Sequence, residues 1–172
     1  MDFLAALPAN DKLRLQQLSR LVEISVTLNS TLDPDKLLKF IVDSAAELLG
    51  CEAVSILLYE EKRSELIFAT AAGSDPEKLA RIPVPLEGSI AGAIFRENKP
   101  VLVNNVSQDP RHYQQVGLAI DFQTRMLLGV PMRIKERVTG VMEALNKRAG
   151  PFTEQDLHIL SVVADQAAVA IH

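Results

Sequence analysis

Between Asp33 and Cys51 the hydrophobic period of the chain changes, and the change falls on one glycine. The stretch "DPDKLLKFIVDSAAELLG" places apolar residues at Leu37, Leu38, Ile41, Val42, Ala45, Leu48 and Leu49, the three- and four-residue steps of a helical face. Asp33 stands before Pro34 as an N-cap before a residue whose fixed φ suits the first helical position. Gly50 supplies the stop. From Cys51 the pattern is different: "CEAVSILLYE" (51–60) and "ELIFATAAG" (65–73) are β-branched and aromatic runs joined by the charged "EKRS", which reads as two antiparallel strands and a turn.

The flanks follow the same logic. Leu15, Leu18, Leu21/Val22, Ser25, Leu28 and Leu32 form a narrow, coiled-coil-like stripe over about residues 11–32. Past the hairpin, "RIPVPLEG" (81–88) is extended, "SIAGAIFREN" (89–98) is a short helix capped by Ser89 and stopped near Asn98, and "KPVLVNNV" (99–106) is a strand. Asp109-Pro110 repeats the N-cap-then-proline pair and predicts helix and loop over 107–125. "MLLGVPMRI" and "VTGVMEALNK" flank the turn Lys135-Glu136-Arg137 as a hairpin. Thr153 opens a last helix with Leu157, Leu160, Val163/Ala164, Ala167 and Ile171 on its apolar face.

This order predicts an α+β fold: a central antiparallel sheet of about five or six strands, the N- and C-terminal helices on one face, and a short-helix and loop lid over a pocket on the other. It divides into an N-terminal signalling or dimerisation helix (1–32), a core (33–156) and a C-terminal helix (157–172). The narrow seams of the end helices predict contact with another copy, hence a homodimer, and a module cut from a longer chain that carries an effector domain.

The residue types remove several kinds of chemistry. Basic residues number 18 and never run longer than two, as in Lys62-Arg63 and Lys147-Arg148, so no basic face for nucleic acid is expected. The single cysteine, Cys51, forms no intrachain disulfide or thiolate cluster and reads as a buried small residue. No apolar run reaches membrane-span length and no secretion signal opens the chain, so a cytoplasmic protein is expected. His112, His158 and His172 lack metal spacing; His112 in "DPRHY" sits in a candidate pocket loop, while His158 lies opposite its helix's apolar stripe. Neither phosphate-binding glycine motif is present, and no nucleophile stands beside a base, so no enzyme is expected.

From about residue 20 onward, "LDPDKLLKFIVDSAAELLGCEAVSILLYE", "GSIAGAIFRENKPVLVNNV", "RMLLGVPMRI" and "VTGVMEALNK…FTEQD" resemble a GAF domain, the small-molecule-sensing module of phosphodiesterases, cyclases, phytochromes, sensor kinases and transcriptional activators. Asn146, Lys147, Phe152 and Asp156 resemble the Asn-Lys…Phe…Asp-Glu signature of cyclic-nucleotide-binding members, with Leu157 where that signature has its glutamate. The signature implies a structural clamp made of Asn146, Lys147, Phe152 and Asp156, with Lys147 paired to Asp156. Thr153-Glu154-Gln155-Asp156 is itself a capping arrangement, which fits.

The resemblance also implies ligand-binding positions at Ser55, Ile90, Ala91, Tyr113, Thr124 and Glu143. In a cyclic-nucleotide-binding member, Ser55 and Thr124 would meet a base edge and the Ile90 and Ala91 amides a phosphate. Tyr113 would cover a ring, and Glu143 would accept from an amino group. As residues alone, Ser55 and Thr124 are ordinary strand and loop residues, Ile90 and Ala91 ordinary core, and Arg125 either a surface residue or a phosphate contact. Gly117 and Ile120 stand where such binders tend to be polar. Covalent bilin is not expected, since residues 104–125 contain no cysteine, and thiol-based sulfoxide reduction needs more cysteines than one. The implied function is non-catalytic sensing of a small molecule, with cyclic AMP or cyclic GMP among the candidates, as in kinase-linked two-component signalling. A ligand-free dimerisation or relay module is the alternative.

Overall fold

The computed structural model describes residues 6–27 and 33–171, without the side chains of Gln17 and residues 20–27. In the upper part of the N-terminal stripe, Leu28 and Leu32 and the side chains of Leu21, Val22 and Ser25 therefore lie outside what is described. The elements are α1 (Ala9–Thr27), α2 (Pro34–Leu49), β1 (Cys51–Glu60), β2 (Glu65–Ala72), α3 (Pro76–Leu79), β3 (Val84–Pro85), α4 (Ile90–Glu97), β4 (Val101–Val103), α5 (Gln115–Ile120), β5 (Leu127–Ile134), β6 (Arg137–Lys147) and α6 (Glu154–Ile171). The strands make one six-stranded sheet in the order β3-β2-β1-β6-β5-β4, with every pair antiparallel. The fold is α+β, as expected.

The handover at Gly50 works as read. Asp33 Oδ1 accepts the Asp35 amide at 3.0 Å, and Gly50 closes α2 in the left-handed region at φ 60°. The turn after β1 and the stops at Asn98 and Gly50 are local matters. The strands then sort their side chains by period two. Val54, Ile56, Leu128, Val130, Met132, Met142 and Ala144 join α1, α2 and α6 in one apolar cluster. Leu57, Leu127 and Val141 point to the other face and join residues of α3 and α4 in a second cluster.

Three expectations need correction. The strand expected over 99–106 is only Val101–Val103. Beyond Val103 the ladder ends, because the Asn104 side chain turns to the Phe152 backbone, accepting its amide at 2.9 Å and donating to its carbonyl at 3.3 Å. Asp109 does not cap a helix. Its carboxylate accepts the Arg111 amide at 2.8 Å and pairs with the Arg111 guanidinium at 2.7 Å, closing a single turn, and α5 begins only at Gln115. The described seam residues also turn inward. Leu15 and Leu18 are buried in the same cluster as Leu160, Val163, Ala164 and Ala167, which α6 lays on β5 and α2.

Candidate functional site

The second face of the sheet holds a cavity of about 70 Å³, roofed by the segment from Ser74 to Thr124. Its floor follows from strand register. Glu143 on β6 pairs across with Ser55 on β1 and Gly129 on β5, so two small residues flank one long acidic one. Gly129 leaves room here: a Cβ at that position would meet Ile94 Cδ1 of α4, whose side chain would have to move aside. The helix α4 therefore sits tight on the sheet beside the cavity instead of filling it.

Ser89 starts that helix at the cavity wall. Its Oγ accepts the Gly92 amide at 2.9 Å and donates to the Pro85 carbonyl at 2.6 Å. The following Ile90 and Ala91 line the cavity, and their amides have no intrahelical acceptor. Tyr113 and Thr124 come from the roof, so all six positions implied by the resemblance border one space. His112 joins them. Arg125 does not; its guanidinium pairs with Glu52 at 3.0 Å. Sequence reasoning also passed over Phe68 and Val84, apolar wall residues whose pattern is that of any core.

The electrostatics centre on Glu143. It is only 8% exposed and makes no hydrogen bond or ion pair among the described residues. Burial without a partner raises its pKa to about 7. His112 is shifted the other way, held below the usual histidine range by burial, with nearby Asp109 opposing the shift. Among the described residues lining the cavity there is no Lys or Arg. Cys51 belongs to the helix-side cluster and does not line the cavity, its thiol pushed up to about 11 by burial. Among the described residues no group of His, Cys, Asp and Glu could hold a metal ion, and no helix is long and apolar enough to cross a membrane.

A family model described as GAF domain matches residues 31–172. The chain belongs to the GAF family. A GAF domain from an Acinetobacter phosphoenolpyruvate-protein phosphotransferase has the same fold, with a TM-score of 0.76 at 20% identity over 96% of this chain and 95% of that one. A free methionine-R-sulfoxide reductase from Neisseria meningitidis, solved with its substrate, has a TM-score of 0.75 at 21% identity over 96% and 92% of the two chains. Among curated proteins, a probable 3',5'-cyclic phosphodiesterase of Caenorhabditis elegans is 24% identical over 141 residues, covering 77% of this chain but only 19% of its own length. GAF domains are regulatory and sensory modules of signalling proteins, and some members of the fold, such as the reductase, are enzymes.

The GAF signature residues divide into two tethers. Lys147 Nζ meets Asp156 Oδ2 at 2.6 Å, and the same oxygen accepts the Thr153 amide at 2.9 Å while Thr153 Oγ1 accepts the Asp156 amide at 3.2 Å. That reciprocal cap ties the end of β6 to the first turn of α6. Asn146 does something else. Fully buried at φ 56°, its Oδ1 accepts the Arg125 and Met126 amides at 2.7 and 3.0 Å, and its Nδ2 donates to Gln123 O at 2.9 Å and to Glu52 at 3.3 Å. It holds the backbone on both sides of Thr124, and so fixes the roof's exit from the cavity. Phe152 packs buried in the helix-side core.

Proposed function

We propose that this GAF domain is a non-catalytic sensor whose small-molecule ligand occupies the cavity and contacts Ser55, Ile90, Ala91, Tyr113, Thr124 and Glu143. The observation that carries this reading is the buried Glu143 carboxyl, which lines the cavity and has no partner among the described residues. A carboxyl in that state costs stability, and a ligand donor would satisfy it. Ligand contact with Tyr113 and Thr124 then tightens the roof on the sheet, and α1 and α6 carry the change to an effector domain in a longer chain. The reading as a non-catalytic module is supported by the sole cysteine, which packs in the helix-side cluster outside the cavity lining with a raised thiol pKa.

The phosphodiesterase relative is named for cyclic 3',5'-nucleotides, which keeps cyclic AMP and cyclic GMP among the ligands to test. The cavity of about 70 Å³ is small beside the roughly 300 Å³ at which drug-sized pockets begin, so a nucleotide needs the roof to lift. The same small volume favours a second reading, a ligand-free relay module. Thermal-shift screening of the purified domain with both cyclic nucleotides and a library of small metabolites separates the two. A ligand that raises the melting temperature of the wild type but not of a cavity-blocking Ser55→Leu variant supports the sensor; no shift with any compound leaves the relay.

A further inference from the structure

We propose that the cavity selects a small organic cation, a compact primary amine whose ammonium group stands against the Glu143 carboxylate. This rests on the reading of the cavity as a ligand site and names the ligand's chemistry. Three observations converge on it.

The first is charge. Glu143 is more than nine-tenths buried and lines the cavity with no partner among the described residues. The other titratable side chains lining the space are His112, which burial keeps neutral near pH 7, and Tyr113; no Lys or Arg is among them. An anionic ligand would therefore place its charge beside a carboxyl with no side-chain cation to offset it, whereas an ammonium supplies the charge that Glu143 lacks. The second is donor count. Ser55, directly across the β1–β6 ladder from Glu143, is also buried and makes no side-chain hydrogen bond among the described residues. A primary ammonium has three donors, enough for the carboxylate and the Ser55 hydroxyl together.

The third is size. The cavity of about 70 Å³ lies well below the roughly 300 Å³ at which drug-sized pockets begin, which favours a compact ligand. The apolar walls from Leu57, Phe68 and Leu127 suit a short carbon skeleton behind the amine.

The test titrates the domain by NMR with propylamine, ethanolamine and alanine, and in parallel with 1-propanol, propionate, lactate and cyclic AMP. The expected result is that at least one amine binds ten or more times tighter than its amine-free counterpart, and that Glu143→Gln abolishes this preference. A wild-type measurement guards against a variant that misfolds: amine affinity should rise about tenfold from pH 6 to pH 8, as Glu143 ionises. Binding of only neutral or anionic probes, or amine binding that ignores both pH and the substitution, overturns the amine assignment and leaves the sensor reading standing. Failure of every probe to bind overturns the amine assignment, and the sensor reading falls with it only if the metabolite library also gives no shift.

Discussion

Glu143 is where the site is most costly to the fold. A carboxylic acid with an ordinary pKa of 4.5 unfolded and about 7 folded binds its proton more tightly in the native state. Native stability is therefore greatest at low pH with respect to this group; it falls as pH rises from about 4.5 and levels off above about 7, where the total loss is on the order of 3 kcal/mol. Glu143→Gln removes that dependence. Urea unfolding at pH 5 and pH 8 should show the variant about equal to wild type at the lower pH and more stable by about 2–3 kcal/mol at the higher one. Equal pH slopes for the two proteins would mean that Glu143 is solvated after all. In the sequence Glu143 could be read as facing the sheet's second side, because period two places it between Val141 and Leu145. That it would face open space without a partner was not legible, because this depends on Gly129 and Ser55 arriving beside it from other strands.

At the scale of elements, two adjacent residues hold different pieces. Asp156→Ala removes a cap acceptor and a shielded ion pair, whose side chains are 20% and 10% exposed, and should cost about 2 kcal/mol. It loosens the start of α6 and leaves ligand binding unchanged. Asn146→Gly keeps the left-handed backbone but strands the amides of Arg125 and Met126, at a cost of about 3 kcal/mol. Asn146→Ala adds about 1 kcal/mol of backbone strain. Both Asn146 variants should weaken binding of any cavity ligand, since the Thr124 segment is no longer held. Melting curves and the ligand screen run on the three variants check this division; a binding defect in Asp156→Ala would unite the tethers. The sequence placed all four signature residues in one clamp. Asn146 belongs to the other tether because its partners lie far from it along the chain: the β1–β6 pairing brings Glu52 to it, and the β5–β6 pairing brings residues 123–126.

Across the whole molecule, the end helices decide how a signal leaves. Leu160, Val163, Ala164 and Ala167 are fully buried, so a charge at Leu160 unfolds the protein and says nothing about association. Among the described side chains, the exposed large apolar residues of α1 and α6 are Leu13 and Val169, each about half exposed. A homodimer through these helices predicts that Leu13→Glu with Val169→Glu yields a folded monomer in sedimentation. An unchanged oligomer, or a wild type that is already monomeric at high concentration, would remove dimerisation from the model of relay.

The sequence by itself determined whatever is settled within a few residues: the α2 stop at Gly50, the caps at Asp33, Ser89 and Thr153, the strand periods, and with them the layered α+β order. Short-range hydrogen bonds and side-chain direction decide these, and both are written into neighbouring residue types. Local reading failed at Asp109, where a nearby arginine competed for the same carboxylate. Only the tertiary structure decided the size of the cavity, the isolation of Glu143, the partners of Asn146 and the inward turn of the α6 seam. Each depends on where residues tens of positions apart come to rest, and packing sets those distances where no local pattern records them.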